Sequence, residues 1–235
     1  MSEDLEFLIE LAKKASLLIT DDVVLKAKGD KGDLVTNFDY EIEKFIIENI
    51  KEKYNDFSII SEEFNTNNEL TDNCFTIDPI DGTINFANNI PLWGIQMACI
   101  RNKETVAAVI FLPKLNELYY ADENGAFLNG NLISVNNLDV TKGLYSIEGP
   151  GKLAVQSNME TINLHYREFN CSAVNFAWVA CGKLSAAYLI WDTLCDYIPG
   201  QYLVKQAGGV IFNDTNEHIA ANNDFFLKIL RENCS

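Results

Sequence analysis

Residues 76–86 read Thr-Ile-Asp-Pro-Ile-Asp-Gly-Thr-Ile-Asn-Phe, and they contain two aspartates on either side of a proline. An apolar strand at 75–77 is expected to deliver Asp78 at its end, and Pro79 should interrupt regular strand pairing there. Residues 81–83, Asp-Gly-Thr, predict a turn that opens a short helix. Two carboxylates three residues apart at such a turn can therefore point into one space.

Asp78 and Asp81 would repel each other at short range, and the pKa of one would rise unless a cation lay between them. Carboxylate oxygens are hard ligands that suit Mg²⁺. The backbone N–H groups of Gly82 and Thr83 could face a phosphate at the start of the helix. An ordinary Asp-Gly turn with a capping Asp is common in any protein, and this stretch alone leaves that alternative open.

Three further acids lie at the ends of expected elements. Glu62 follows a strand at 57–60, and Asp39 lies near the start of a helix that Thr36 can cap. Asp196 lies between a strand and a helix that leads into a glycine pair. Each acid alone is more often solvated or capping. Their shared placement at element ends favours one joint acidic site.

The charge balance restricts the partners. The chain has 235 residues, and Asp and Glu outnumber Lys and Arg by 34 to 18, a net charge of −16. This disfavours nucleic-acid polymers and anionic membranes, which are bound mainly through basic side chains. A phosphate ligand would therefore need positive charge from a bound metal. An acidic start and six scattered cysteines predict a cytoplasmic protein with reduced thiols.

Helical and strand patterns interleave along the chain, which predicts a layered α+β or α/β fold. We expect one domain over 1–235, with an α+β half (1–140) that carries most metal ligands and an α/β half (141–235) that carries the last ligand and the substrate loops. Helices are expected at 4–19, after Thr36, at 172–181, at 199–207 and from Asn223, and strands at 57–60, 75–77, 94–100, 106–112, 187–190 and 209–212.

The chain resembles the inositol monophosphatase family of Mg²⁺-dependent, lithium-sensitive phosphatases. The resemblance spans roughly residues 5–230, because five blocks occur in the family's order and near its spacing: 33–36 with Asp39, 61–63, 78–86, 125–130 and 207–210. It implies a layered αβαβα sandwich of the inositol monophosphatase/fructose-1,6-bisphosphatase type and a homodimer. It also implies hydrolysis of a small soluble phosphate monoester by water that the metal activates.

Roles for single residues follow from the same resemblance. Two or three Mg²⁺ ions would be bound by Glu62, Asp78, the carbonyl of Ile80, Asp81 and Asp196. Thr83, backed by Asp39, would orient the attacking water, and Glu62 would also take part in catalysis. Lys28 occupies the place of a basic residue near the phosphate. The substrate would contact Gly82, Thr83, Asp81, Asn170, Ser172 and Asp196.

Three positions depart from the family pattern. Cys195 precedes Asp196 where Trp is usual, and a Trp-Asp pair at Trp191 and Asp192 offers an alternative ligand four residues earlier. The fixed length of the helix before Gly208 favours Asp196. Leu189 replaces an acid that binds polyol hydroxyls, which disfavours inositol phosphate. Pro199 is expected in the first turn of its helix.

The alternatives concern the substrate and catalysis itself. Besides inositol phosphates and sugar phosphates such as fructose 1,6-bisphosphate, histidinol phosphate and 3′-phosphoadenosine nucleotides are candidate substrates of this fold. A non-catalytic, phosphatase-like binding protein would instead have lost a ligand. Glu62, Asp78, Asp81 and Thr83 are all present, so an enzyme is favoured.

Overall fold

Two β-sheets form the framework of the structure, a computed structural model that describes residues 1–20, 22–28, 33–66, 69–139, 141–149, 165–190 and 193–234. The seven-stranded sheet has the order β3-β4-β5-β6-β7-β8-β9, and the five-stranded sheet has the order β11-β10-β12-β14-β13. The strands are β1 Leu25–Lys28, β2 Asp33–Thr36, β3 Ser58–Ser61, β4 Asn73–Asp81, β5 Gly94–Arg101, β6 Glu104–Leu112, β7 Glu117–Asp122, β8 Gly125–Leu128, β9 Asn131–Leu132, β10 Leu144–Glu148, β11 His165–Arg167, β12 Ala186–Ile190, β13 Val210–Asn213 and β14 Glu217–Ala221.

Helices separate and flank the two sheets. They are α1 Glu3–Ser16, α2 Asn37–Lys53, α3 Thr83–Ala87, α4 Ser172–Ala180, α5 Leu194–Gln206 and α6 Asp224–Cys234. One core cluster joins α1 and α2 to the first sheet, a second joins α4 and α5 to both sheets, and a third joins α6 to the second sheet. The layers therefore run αβαβα, which confirms the expected fold class.

Strand alternation decides which side chains face the middle helical layer. Along β5, Ile95, Met97 and Cys99 pack toward α1 and α2, whereas Ala98 and Ile100 pack toward Cys195 of α5. Successive side chains of a strand point to opposite faces. Even-numbered β5 residues therefore face α4 and α5, where the candidate site lies.

The start of α2 confirms the prediction from Thr36. The Thr36 side chain accepts a hydrogen bond from the Phe38 N–H, and Asp39 completes a capping box by accepting from the Thr36 N–H. The spacing of apolar residues after Thr36 predicts a buried stripe of Ile42, Phe45, Ile46 and Ile50; the three isoleucines are fully buried, whereas Phe45 is only partly buried against the same core.

Three boundaries differ from the prediction by three residues or more. Helix α1 ends at Ser16, and Leu17 is exposed. Strand β4 continues through Pro79 to Asp81, because a shift of register between Asp78 and Asp81 accommodates the proline. Helix α5 begins at Leu194, since Thr193 and Asp196 form a capping box. Pro199 is thus the sixth residue of α5 and not in its first turn, and Asp196 lies inside the helix.

Among the described residues, none of the helices combines the length and the apolar composition that a membrane span requires. Five cysteines among these residues are free thiols, at 74, 99, 171, 181 and 195. The first sheet draws its strands from residues 58–132 and the second from residues 144–221. That the two halves form a single domain stays a prediction.

Candidate metal centre and active site

The irregularity of β4 places two aspartates on one face of the sheet. Asp78 pairs with Gln96 and Asp81 pairs with Gly94, with the register shift between them. In a regular strand, residues three apart face opposite sides; one extra residue restores the same side. Gly94 has room for no side chain, because a Cβ there would lie 2.7 Å from Leu112 Cδ2 and 3.3 Å from Ala173 Cβ. The start of α4 therefore approaches the sheet directly.

Three carboxylates meet at this point. One oxygen each of Asp78, Asp81 and Asp196 lies within 4.8 Å of the others. Asp78 and Asp81 are buried and Asp196 is half-buried. Two oxygens on opposite sides of one Mg²⁺ are about 4.2 Å apart, twice the Mg–O distance. The cluster therefore has the dimensions of a divalent-cation site.

Asp81 is anchored from α4. Its Oδ2 accepts hydrogen bonds from the Ser172 hydroxyl at 2.9 Å and from the Ala173 N–H, and the Cys171 thiol lies 3.3 Å away. Burial, and then the charge of Asp196, raise the pKa of Asp81 to about 7. Asp81 holds the N-terminus of α4 against the sheet while remaining in the acidic cluster.

Asp196 is held by its own helix start. Its Oδ2 accepts from the Thr193 N–H at 2.7 Å and from the Thr193 hydroxyl at 2.8 Å. The Ser172 hydroxyl oxygen also lies 2.9 Å from the Asp196 carbonyl oxygen, so the first turns of α4 and α5 are in contact. The capping box thus directs a helical acid toward two strand acids.

Asp78 provides the test of whether a metal fits. Its Oδ1 is buried and has no hydrogen-bond partner among the described residues. Burial raises the pKa of Asp78 well above its usual value, and the charges of Glu62, Asp81 and Asp196 raise it further. A buried, unpartnered oxygen among like charges is costly unless a cation is bound. The all-oxygen donor set suits Mg²⁺.

Glu62 and Ile80 occupy the border of this cluster. Glu62 is half-buried after the end of β3 and lies outside the set of three close carboxylates, although its charge acts on Asp78. It lines a cavity of about 100 Å³ together with Thr193 and Cys195. The carbonyl of Ile80 accepts from the Thr83 hydroxyl at 3.0 Å.

Thr83 and Asp39 come together across the molecule. The Thr83 hydroxyl lies 3.4 Å from Asp39 Oδ1, while Asp39 Oδ2 accepts from the Thr36 N–H at 2.7 Å and from its hydroxyl at 2.6 Å. Asp39 is fully buried, and burial raises its pKa. The Asp39 carboxylate therefore fixes Thr83 beside the acidic cluster.

The loop before α4 is held from two sides. Asn85 of α3 donates to the carbonyls of Phe169 at 2.6 Å and Asn170 at 3.4 Å. Glu148 accepts from the N–H groups of Phe169 and Cys171, each at 3.2 Å. Asn170 itself is exposed and has φ +50°. The loop reaches the site with its backbone polar groups paired internally.

Two further residues from the sequence analysis lie at the turn into α3 and in the core. Gly82 has φ +83°, and a Cβ there would lie 3.0 Å from the Leu92 carbonyl oxygen, so the turn needs glycine. Leu189 is fully buried in the core between the sheets. The Lys28 side chain and Asp192 lie outside the described residues.

The sequence did not predict Gln96 and Glu148 as residues of the site, because a polar residue within a strand carries no signal of its contacts.

The whole chain matches proteins of known family. The model of the inositol monophosphatase family matches residues 1–228. The chain is 32% identical to the fructose-1,6-bisphosphatase/inositol-1-monophosphatase of Thermotoga maritima, covering 95% of this chain and 90% of the relative. It is 33% identical to human inositol monophosphatase 1, covering 94% and 90% respectively.

A solved structure supports the same conclusion. The Thermotoga maritima IMPase superposes with a TM-score of 0.89 at 28% identity, covering 99% of this chain and 98% of that protein. The family match, the two relatives and the layered fold all point to the same class of phosphoric monoester hydrolase. The chain therefore belongs to the inositol monophosphatase family, and it is a phosphatase.

Proposed function

We propose that this protein hydrolyses a small soluble phosphate monoester with Mg²⁺ bound at the acidic cluster. The observation that carries the proposal is the approach of Asp78, Asp81 and Asp196 to within 4.8 Å, with Asp78 Oδ1 buried and unpartnered among the described residues. Three converging acids would exclude an anionic substrate unless their charge were compensated. The proposal therefore requires a cation before substrate can bind.

Asp78, Asp81 and Asp196 would hold the cation, and Glu62 and the Ile80 carbonyl are proposed as further ligands at its border. When bound, the divalent cation supplies positive charge for the phosphate and lowers the pKa of water, which makes water a nucleophile at neutral pH. The proposed number of ions is two or three. Phosphoryl transfer needs chiefly positioning and charge stabilisation, which this donor set can provide.

The remaining residues orient the reactants. The Thr83 hydroxyl lies 3.0 Å from the Ile80 carbonyl oxygen and 3.4 Å from Asp39 Oδ1. It would accept a hydrogen bond from the attacking water, and as the water loses a proton to Thr83, the Thr83 proton would pass to Asp39. The backbone N–H groups of Gly82 and Thr83 would bind phosphate oxygens at the turn into α3. Asn170 and Ser172 would contact the substrate from the loop and start of α4. Glu62, whose charge acts on Asp78, would assist in activating water.

Leu189, in place of an acid that would bind polyol hydroxyls, bears on the choice of substrate. Leu189 is buried in the core and offers no oxygen to a polyol hydroxyl. Hydroxyls that lose their water without a partner weaken binding. This disfavours inositol phosphate, and sugar phosphates and related metabolites stay among the proposed substrates. Histidinol phosphate and 3′-phosphoadenosine nucleotides are the alternative substrates.

The experiment measures metal-dependent phosphatase activity of the full chain on p-nitrophenyl phosphate and on a panel of sugar, inositol, histidinol and nucleotide phosphates. Turnover is expected only with Mg²⁺, and Asp81→Asn should lower kcat/KM by about 100-fold or more, since metal catalysis contributes several kcal/mol. Asp122→Asn changes a buried acid outside the site and is the matched control. Equal Mg²⁺-dependent activity in wild type and Asp81→Asn contradicts the proposed site.

Finer properties rest on family membership and on composition. We propose a homodimer, sensitivity to lithium and a cytoplasmic location. The net charge of −16 supports a small phosphorylated metabolite as the partner and disfavours nucleic-acid polymers and anionic membranes.

A further inference from the structure

Gln96 lies directly opposite a proposed metal ligand. It is the cross-strand partner of Asp78 in the antiparallel β4–β5 pair, and its side chain is fully buried. Opposed residues of such a pair point to the same face with Cβ atoms about 5 Å apart. The face in question is the one toward α4 and α5. Asp81 lies on the same face, and Asp196 of α5 approaches it from the helix.

The carboxamide of Gln96 joins two of the three acids. Its Nε2 lies 3.4 Å from Asp78 Oδ2 and 3.3 Å from Asp81 Oδ2, and it donates to the Ser172 hydroxyl oxygen at 2.9 Å. A primary amide carries two N–H donors on this nitrogen, so with one directed to Ser172 the other is shared between the two carboxylates. Gln96 is therefore a neutral donor placed between two carboxylates that otherwise repel each other.

The orientation of this amide is determined by the acids. The other end, Gln96 Oε1, is buried and has no hydrogen-bond partner among the described residues. An unpaired buried acceptor costs about 1–3 kcal/mol. The reverse orientation would direct Oε1 against two carboxylate oxygens. Donation to Asp78 and Asp81 thus outweighs the loss at Oε1.

The distribution of donors also separates the oxygens of Asp78. Gln96 contacts Oδ2, whereas Oδ1 lacks a partner within the described part of the chain. Asp81 Oδ2 receives Gln96 together with Ser172 and Ala173. Outer hydrogen bonds of this kind orient the ligands of a metal site.

We propose that Gln96 is a positioning residue of the metal centre, holding Asp78 and Asp81 by one oxygen each so that Asp78 Oδ1 is presented to the cation. This inference rests on the proposed function, because it assumes that the acidic cluster binds a divalent cation. It adds a residue that acts on the ligands and does not touch the substrate.

The test is calorimetric titration of Mn²⁺ and Mg²⁺ into the metal-stripped full chain. Gln96→Met keeps the size and burial of the side chain but removes both N–H donors, and we expect the dissociation constant to rise about 10–100-fold. Gln96→Asn keeps the carboxamide but shortens its reach, and it should weaken binding similarly. At saturating metal, kcat and the substrate KM of both variants should return toward wild type, which a general structural defect would not allow.

Thr76→Val is the matched control, because Thr76 lies two residues before Asp78 on the same strand and its buried hydroxyl has no partner among the described residues. It should leave the dissociation constant unchanged. If Gln96→Met does not fold by circular dichroism, Gln96→Asn decides. If wild type and the folded Gln96 variant bind the cation with equal affinity, the positioning role of Gln96 is wrong, but the proposed metal site is not affected. Absence of cation binding by wild type overturns both the inference and the proposed metal-dependent function.

Discussion

At the residue scale, the two oxygens of a site carboxylate have different roles. Asp81 Oδ2 is within reach of four donors, from Cys171, Ser172, Ala173 and Gln96. Asp39 Oδ2 likewise accepts hydrogen bonds from the N–H and the hydroxyl of Thr36, and Asp39 Oδ1 faces the Thr83 hydroxyl. In each case one oxygen anchors the carboxylate and the other is left for the chemistry. Substitutions that keep shape but remove one donor should therefore separate catalysis from folding.

Thr83→Val removes the hydroxyl while preserving the branched shape of the side chain. We expect kcat to fall about 100- to 10,000-fold, because proton transfer by a positioned group contributes factors of this size. The dissociation constant for Mg²⁺ should change little, since Thr83 acts beside the cluster and not within it. Steady-state kinetics and calorimetry measure the two quantities.

Thr83→Ser retains a hydroxyl at the same place and is the control for Thr83→Val. It should keep most of the wild-type kcat. Near-wild-type turnover in Thr83→Val would show that the hydroxyl does not take part in the reaction.

At the element scale, the site depends on how α3 and β10 hold the loop that starts α4. Asn85 donates to the carbonyls of Leu92, Phe169 and Asn170, and Glu148 accepts N–H groups of the same loop. Two elements distant in sequence thereby fix the approach of α4. Gly200 of α5 completes the arrangement, since a Cβ there would lie 2.4 Å from Phe176 Cβ of α4.

Asn85→Ala should loosen this loop. It leaves partly buried carbonyl groups without this donor, so the free energy of unfolding should fall by about 1–3 kcal/mol. The substrate KM should rise, because Asn170 and Ser172 lose their support. Urea denaturation and steady-state kinetics check the two effects.

Asn88→Ala is the comparison for Asn85→Ala, because Asn88 is exposed and donates only locally to the Ile84 carbonyl. It should change stability by no more than about 0.5 kcal/mol. Similar losses in both variants would mean that the loop contacts of Asn85 contribute nothing specific.

At the scale of the whole molecule, the acidic cluster opposes folding when no cation is present. It lies where β4 of the first sheet meets the helices α4 and α5, in a protein of net charge −16. Burial raises the pKa of Asp81 to about 7 and that of Asp78 well above its usual value. Burial raises the pKa of Asp39, Glu43 and Glu148 in the same direction. The folded, metal-free protein therefore holds protons that the unfolded chain releases.

The upward direction of these pKa shifts predicts how the stability of the metal-free protein depends on pH. A carboxyl whose pKa is raised by folding contributes full stability below its unfolded pKa, near 4, and loses it as the pH rises through the folded pKa. In EDTA, the free energy of unfolding should decline between about pH 4 and pH 7. Carboxyls with lowered pKa, such as Asp4 and Asp122, change stability only below this window. Urea denaturation at successive pH values measures the decline.

Asp81→Asn cannot titrate at this position, so its decline in EDTA should be shallower than that of wild type. Saturating Mg²⁺ should offset the decline in wild type, because cations bind the deprotonated carboxylates. A wild-type curve parallel to that of Asp81→Asn in EDTA would contradict the role of Asp81.

The sequence by itself determined the family, the layered fold and the start of α2. Local chemistry suffices there: Thr36 and Asp39 form a capping box within four residues, and the motif at 76–86 has its acids and glycine at fixed spacing. The shape of the Asp78–Asp81 turn was only partly predictable. Pro79 signalled an interruption, but only pairing with β5 shows that the strand resumes after it.

Tertiary structure alone decided which polar groups meet. Asp196 is 115 residues from Asp81, and its helix begins five residues before the predicted start at 199, because Thr193 and Asp196 form a capping box there. Gln96 and Glu148 carry no local signature, since their partners come from other elements. Periodicity predicts which face a side chain takes, but contacts between distant elements depend on how the layers pack.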